Sequence, residues 1–138
     1  MRGLLADVNA GGYLAAILKV CRGPAWRSFW LELRVPTFSF RDLWLDQETQ
    51  DDLLWQFCQS EQLVLFTDNR NETGATSLGR AIRELNTASS LPVLTPADAQ
   101  RLYSDAGYAE RAAERMLEIL MEIDRYRGTG RLFLPREG

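Results

Sequence analysis

Histidine is absent from this sequence, and its absence removes several classes of enzyme chemistry. Without an imidazole there is no Ser-His-Asp or Cys-His centre, and the commonest general base and a frequent zinc ligand are missing. Any chemistry must depend on carboxylates, amides, hydroxyls and arginines. Lysine is nearly absent too, because Lys19 is the only lysine among 16 basic residues. Arginine suits bidentate phosphate binding, although a bias in genome composition explains the same preference.

Cysteines are few, and long apolar runs are missing. Cys21 and Cys58 are the only cysteines, and both fall in apolar helical patterns, so we expect buried free thiols. No stretch approaches the ~18 uninterrupted apolar residues of a membrane span. The N-terminus turns acidic at Asp7 before a signal-peptide apolar region develops, so we expect a cytoplasmic protein with no membrane partner. The net charge of −3 argues against a broad nucleic-acid-binding face.

Short apolar runs alternate with helical patterns along the chain. The predicted strands are 2–8, 37–41, 63–67, 91–95 and 131–134. Strands that alternate with helices imply βαβ crossovers, which place helices on both sides of a parallel sheet. The sequence therefore predicts a single domain over residues 1–138, with a three-layer α/β/α fold and a mainly parallel sheet.

Capping residues predict where two of the helices begin. Thr49 is a predicted N-cap, with Asp52 three residues later where a capping box places its acid. Thr95-Pro96-Ala97-Asp98 predicts a second helix start, with Asp98 as the capping acid. The last long helix is predicted over 108–127. The aromatic-rich segment 26–40 fits either a core or a dimer surface, and we expect it to belong to the core.

Polar residues follow the predicted strands at their carboxyl ends, where open α/β sheets form their sites. Asp7 ends the first strand, and an uncompensated charge after a buried strand would be costly. The other candidates near this edge are Asp51, Asp52, Thr67, Asp68, Asn69 and Asn71. Carboxylate and amide oxygens suit Mg²⁺ or Mn²⁺, and a cation between clustered carboxylates relieves their repulsion. Arg70 lies in the same loop, where it is a candidate for contacting phosphate.

Most of these acids also have a purely structural interpretation. The pair 51–52 fits acids that favour the positive end of a helix. The segment 68–71 fits an Asx-rich turn, in which side-chain oxygens bind nearby backbone N–H groups. Asp42 and Asp46 fit solvated loop positions. Only Asp7 is difficult to explain without a function.

Three stretches resemble the PIN-like (PilT N-terminus) domains, in the small single-domain subgroup. The family's opening strand and first acid are similar to Leu4-Leu5-Ala6-Asp7-Val8-Asn9. Its second acid, at a helix start, is similar to Thr49-Gln50-Asp51-Asp52-Leu53-Leu54. Its apolar strand followed by Thr-x-Asp resembles Leu63-Val64-Leu65-Phe66-Thr67-Asp68-Asn69-Arg70-Asn71. The resemblance covers most of residues 1–95.

The resemblance implies a metal-dependent endoribonuclease that uses Mg²⁺ or Mn²⁺. It implies catalytic metal ligands at Asp7, Asp51 and Asp68, with Asn69 assisting and with Arg70 and Asn71 contacting nucleic acid. Many family members are toxins held by antitoxins, which implies RNA as substrate and an antitoxin-like protein partner. Homodimerisation is a family habit, and the aromatic segment 26–40 makes it a hypothesis for this chain.

One position departs from the family pattern. Asn69 stands where the family usually has aspartate, and the acid is displaced to Asp68. Since asparagine brings no charge, we expect weaker divalent-metal binding. The alternative is a catalytically inactive PIN-like domain that binds RNA or a protein. A receiver-like signalling domain is disfavoured because no lysine follows a late strand, and Gly11-Gly12 lacks the spaced glycines of a dinucleotide site.

Overall fold

A single parallel sheet organises the chain. The computed structural model describes residues 1–136. The five strands are β1 (Gly3–Ala6), β2 (Thr37–Phe38), β3 (Leu63–Phe66), β4 (Val93–Pro96) and β5 (Arg131–Leu134). Their order is β2-β1-β3-β4-β5 and every neighbouring pair is parallel, which confirms the predicted α/β architecture. Residues 137 and 138, the end of the predicted domain, lie outside the described residues.

Helices connect the strands. They are α1 (Gly11–Cys21), α2 (Arg27–Leu33), α3 (Asp51–Ser60), α4 (Leu78–Leu85), α5 (Arg101–Ser104) and α6 (Ala106–Met121), with 3₁₀ turns at Arg41–Leu43 and Ile123–Tyr126. Within residues 1–136, no helix has both the length and the apolar character needed to cross a membrane.

Two cores pack on opposite faces of the sheet, because successive residues of a strand point to opposite sides. Leu4 and Phe66 face a core shared with α1 and α6. Leu5 and Leu65 face a second core shared with α3 and α4. Burying each such side chain stabilises the fold by ~1.5–3 kcal/mol. This arrangement gives the three layers that the sequence predicted.

Each core also contains one of the cysteines. Cys21 is buried on the α1 side and Cys58 on the α3 side, and both are free thiols, as predicted. Burial raises the pKa of Cys21 to about 11. Burial, with a smaller contribution from the negative charge of Asp7, raises the pKa of Cys58 to about 12. Both thiols are therefore protonated at neutral pH.

The aromatic-rich segment 26–40 divides between core and surface. Trp30 and Phe40 are buried, as the core interpretation predicted, but Phe29 is 45% exposed. Just beyond the segment, the side chain of Trp44 is 95% exposed. Homodimerisation through this region stays a prediction.

The predicted helix start at Thr95-Pro96-Ala97-Asp98 is wrong. Thr95 and Pro96 instead continue β4, where they pair with Phe133 and Leu134 of β5. Pairing with a neighbouring strand outweighs the local preference for a helix start. The next helix, α5, begins at Arg101, so Asp98 has no capping role.

Two other helix boundaries differ from their predicted positions. Gln50 precedes α3 as its N-cap, while the Thr49 hydroxyl donates a 2.6 Å hydrogen bond to the Asp46 carbonyl. The predicted helix 108–127 instead begins after Asp105, whose carboxylate caps α6 by accepting from the Tyr108 N–H. α3 thus begins one residue later than predicted and α6 two residues earlier, and α6 ends at Met121 instead of 127.

Candidate functional site

The strand order reverses at the boundary between β1 and β3. From β1 the chain adds β2 on one side, then returns to add β3 and the later strands on the other side. Such a switch point leaves a crevice outside the carboxyl ends of the strands, where open α/β sheets bind ligands. A cleft of about 450 Å³ occupies this position. Its polar lining includes Asp7, Tyr13, Gln47, Asp51, Thr67, Asp68 and Asn69. We call it the acidic cleft.

Asp7 and Thr67 meet at the base of the acidic cleft because their strands are in register. Ala6 of β1 pairs with Phe66 of β3, so the residues that follow lie side by side. The buried Thr67 hydroxyl donates to Asp7 Oδ2 over 2.6 Å, and the Val8 N–H donates to Asp7 Oδ1 over 2.7 Å. The Asp7 carboxylate is half-buried and held by two donors. Its charge is therefore compensated by hydrogen bonds.

Asn69 connects this pair to the start of α3. Its N–H donates to Thr67 Oγ1 over 3.0 Å, and its Nδ2 donates to Asp51 Oδ2 over 2.8 Å. Its Oδ1 accepts from the Asn71 N–H over 2.9 Å. A continuous chain of hydrogen bonds thus runs from Asp51 through Asn69 and Thr67 to Asp7. Both polar ends of the Asn69 amide are occupied in this chain.

The other candidates occupy the rim or leave the acidic cleft. Asp68 lines the cleft from an exposed position. Arg70 turns towards β4 and β5: its Nη2 donates to the carbonyls of Pro96 and Ala97, and its guanidinium lies 5.0 Å from the Phe133 ring centroid. Asn71 is exposed and its Oδ1 accepts from the Thr73 N–H. Asp7, Asp51, Asp68 and Asn69 therefore line one cleft, but among residues 1–136 the three acids do not gather closely enough to form the predicted three-carboxylate metal site. Arg70 and Asn71 do not line this cleft.

The structural interpretations are confirmed for several residues. Asn69 and Asn71 each accept from the backbone N–H two residues later, so both form Asx turns. Asp42 and Asp46 are both exposed; Asp46 lies in a loop as predicted, whereas Asp42 lies in the 3₁₀ turn Arg41–Leu43. Hydrogen bonds from the backbone N–H and hydroxyl of Ser39 lower the pKa of Asp42. Asx turns account for the shape of the loop. The hydrogen bonds from Thr67 to Asp7 and from Asn69 to Asp51 are additional to these turns.

No family model, curated protein or solved structure matches this chain. The PIN-like resemblance therefore stays a prediction that depends on the three stretches, and the site must be judged by its own geometry.

The carboxylate oxygens of the acidic cleft are of the type that binds divalent cations, but the protein alone does not supply enough of them to surround such an ion. Among residues 1–136, no three His, Cys, Asp or Glu side chains gather closely enough to hold a metal ion. Asp7 and Asp51 offer carboxylate oxygens to one cleft, however. Mg²⁺ typically takes one or two protein carboxylates and completes its shell with water and substrate phosphate. The residues present fit a cation that is bound jointly with a phosphate.

Sequence analysis placed Thr67 at this edge without predicting its role, and it missed Tyr13. The Thr67 hydroxyl joins the two halves of the hydrogen-bond chain, and the only signal for it was a hydroxyl residue closing an apolar strand. Tyr13 lines the cleft from α1 and its ring lies 5.3 Å from that of Tyr103. Its hydroxyl accepts from Gln100 Nε2 over 2.9 Å. Tyr13 lies far in sequence from Gln100 and Tyr103, so local patterns could not reveal its position.

Proposed function

We propose that this chain is a PIN-like, metal-dependent endoribonuclease whose acidic site binds its cation weakly in the absence of RNA. The supporting observation is that Asp7 and Asp51, from different parts of the chain, line one cleft at the switch point of the sheet. They are linked through Thr67 and Asn69, so their positions are coupled. A phosphodiester of the RNA supplies the ligands that the protein lacks.

Five residues of the acidic cleft have a defined role in this proposal. Asp7 and Asp51 are the residues that would hold Mg²⁺ or Mn²⁺, which when bound supplies charge stabilisation and an activated water at the phosphodiester. Thr67 fixes the orientation of the Asp7 carboxylate, and Asn69 fixes that of Asp51. Tyr13 gives an aromatic surface on which an unpaired base stacks, as is common in single-stranded RNA recognition.

The test is cleavage of a labelled single-stranded RNA oligonucleotide in the presence of Mn²⁺. We expect Asp7→Asn and Asp51→Asn each to lower the cleavage rate by about a hundredfold, because each removes an anionic ligand. Asp52→Asn is the matched control, since Asp52 is adjacent to Asp51 yet hydrogen-bonds to its own neighbour, Leu53. Cleavage that survives both cleft substitutions would mean a contaminant or a different site.

A second candidate function is RNA binding without cleavage, and the Asn69 amide favours it. Its Nδ2 donates to Asp51 Oδ2 over 2.8 Å. A carboxylate that already accepts a hydrogen bond from the protein has less need of a metal ion. Wild-type protein that retards RNA on a gel, weakens with added salt, and gains no thermal stability from Mn²⁺ would establish this second function.

A further inference from the structure

The turn that follows β2 exposes a tryptophan almost completely. Trp44 is 95% exposed, whereas Trp30 and Trp55 are 7% and 4% exposed. Tryptophan normally stabilises a fold by burying its large apolar surface, and Trp44 contributes no such burial. A single exposed apolar residue is ordinary on a protein surface, so the argument depends on its backbone and its surroundings.

The backbone of Trp44 has a conformation that tryptophan rarely adopts. Its φ of 57° and ψ of 31° lie in the left-handed region. This region suits glycine and asparagine, and a bulky residue there is an outlier. Neither burial nor backbone preference therefore accounts for tryptophan at this position. A residue that breaks local rules in this way indicates a function.

The residues on either side of Trp44 anchor the turn to the protein. Leu43 and Leu45 are half-buried and pack against the core shared with α3 and α4. The Leu45 N–H also donates to the carbonyl of the buried Phe40 over 2.9 Å. Since the turn is already ordered, a ligand that stacks on the indole does not have to order it on binding.

The turn leads directly to the acidic cleft. A groove of about 860 Å³ lies along it, which we call the Trp44 groove, and Gln47 lines both this groove and the acidic cleft. The three residues from Trp44 to Gln47 span at most ~11 Å. A stacked strand advances about 3.4 Å per nucleotide, so it covers this distance in about three nucleotides. One strand can therefore occupy the cleft and reach the indole.

The other side chains of the Trp44 groove indicate what kind of ligand it fits. Arg41, Asp42 and Asp46 line the groove and all three are exposed. The centre of a protein interface is depleted of charged residues, so this surrounding does not favour a protein partner. Two carboxylates against one guanidinium also disfavour a phosphate. A flat apolar face with polar neighbours fits an uncharged aromatic ring that has hydrogen-bonding edges.

We propose that Trp44 stacks on an unpaired base of a single-stranded RNA whose backbone occupies the acidic cleft. The identity of this ligand rests on the proposed function. Stacking on an aromatic side chain is tolerant of sequence, because every base has a π-face. The contact is with a base and not with a phosphate, which gives it a signature that salt dependence can reveal.

The first experiment measures the affinity of a fluorescent single-stranded RNA without divalent ions, so that the RNA stays intact. We expect Trp44→Asn to weaken binding about tenfold, because one base loses its stacking partner. Trp44→Phe should keep most of the affinity, since it retains a ring. Phe29→Asn is the matched control, because Phe29 is an exposed aromatic residue of α2 outside the groove. Equal weakening by both asparagine variants would overturn the proposal.

Stability and salt dependence distinguish stacking from other roles of Trp44. Asparagine tolerates the left-handed conformation, so we expect Trp44→Asn to melt no lower than wild type. A lower melting temperature would mean that Trp44 serves the fold, which would contradict the proposal. The slope of log affinity against log salt should be the same in Trp44→Asn and wild type, because no phosphate contact is lost. A reduced slope would contradict a base contact.

The second experiment uses RNAs that each lack one base. At one position, the missing base should weaken binding to wild type about tenfold, yet leave binding to Trp44→Asn unchanged, because the variant has already lost that contact. Equal effects in both proteins at every position would overturn the stacking site.

The combined outcomes separate this proposal from the proposed function. RNA binding that depends on Trp44, without cleavage in Mn²⁺, would sustain the stacking site and contradict the nuclease. Cleavage that depends on Asp7, with equal RNA affinity in wild type and Trp44→Asn, would contradict the stacking site alone. Wild-type protein that binds no RNA would overturn both. Equal RNA affinity, with a dimeric mass by light scattering that Trp44→Asn makes monomeric, would assign Trp44 to an interface between two copies of the chain.

Discussion

The acidic cleft and the buried guanidinium of Arg131 differ in how fully their polar groups are hydrogen-bonded. In the cleft, neutral donors from Thr67 and Asn69 bind the carboxylates of Asp7 and Asp51. At Arg131, Nη1 donates to the Asn69 carbonyl and to Thr95 Oγ1, while Nη2 is buried with no hydrogen-bond partner among residues 1–136. The carboxylates of the cleft are thus held by donors of the protein itself, whereas one cationic nitrogen is left without an acceptor.

The same comparison explains why Asn69 matters more than its place in a loop suggests. Its side chain donates to Asp51 in the cleft, and its carbonyl accepts from Arg131. An aspartate at this position would put two carboxylates within hydrogen-bonding distance of each other, which requires a proton or a cation between them. Asparagine removes that requirement.

The largest expected effect comes from Asn69→Asp, which replaces the amide donor to Asp51 with a second carboxylate. We expect the free energy of unfolding at pH 7 to fall by about 3 kcal/mol without divalent ions, because the introduced carboxylate faces Asp51. Repulsion raises the pKa of one carboxyl group, so this loss should shrink as the pH falls. Mn²⁺ should raise the melting temperature of this variant more than that of wild type.

Asn71→Asp is the matched control for this prediction. It adds the same charge two residues away, and its side-chain oxygen still accepts from the Thr73 N–H. We expect its stability to stay within about 0.5 kcal/mol of wild type. Equal destabilisation by both variants would mean that general charge, and not the contact with Asp51, controls the cleft.

A smaller loss of stability is expected when the hydroxyl of Thr67 or that of Thr95 is removed. Thr67 and Thr95 are both fully buried, and Thr67 donates to Asp7 while Thr95 accepts from Arg131. We expect Thr67→Val to lower the free energy of unfolding by about 2 kcal/mol, since the Asp7 carboxylate loses a donor. Thr95→Val should cost about 1 kcal/mol, because Arg131 keeps the Asn69 carbonyl. Urea unfolding measures both, and the reverse order would contradict this account.

The last prediction concerns pH and the two buried thiols, and its effect is absent at neutral pH. A thiol whose pKa is higher in the folded protein than in the unfolded chain binds its proton more tightly when folded. Its stabilising contribution is therefore complete below about pH 8.5 and is lost as the pH rises towards the folded pKa. We expect each thiol to lower the free energy of unfolding by roughly 1–2 kcal/mol between pH 8.5 and pH 10.

The two thiols also differ in how the charge of Asp7 affects their pKa values. Asp7 contributes to the raised pKa of Cys58, whereas burial raises that of Cys21 with no contribution from Asp7. Urea unfolding under reducing conditions, from pH 7 to pH 10, should show a shallower pH dependence for both Cys21→Ala and Cys58→Ala. Asp7→Asn should reduce only the part of this pH dependence that Cys58 contributes. A pH dependence unchanged in both alanine variants would assign it to other groups.

Local pattern determined the architecture of this chain. Short apolar runs such as 63–66 are long enough only for strands, and the helical periods between them require parallel crossovers. The same pattern located Asp7 and the 67–69 segment at one sheet edge, because carboxyl ends of parallel strands lie together. Asn69 was identified as unusual only by comparison with the PIN-like pattern that the three stretches resemble.

Only the tertiary structure decided what those residues contact. Thr95 and Pro96 have a strong local preference for starting a helix, but pairing with β5 makes them a strand. Arg131 reaches the Asn69 carbonyl across 62 residues, and Thr67 reaches Asp7 across 60. Contacts of this length depend on strand order and register, which no local pattern encodes. The sequence by itself therefore determined the layers and the edge where polar groups gather. Only the folded chain decided that the carboxylates of Asp7 and Asp51 accept hydrogen bonds from Thr67 and Asn69, and that one nitrogen of Arg131 is buried without an acceptor among residues 1–136.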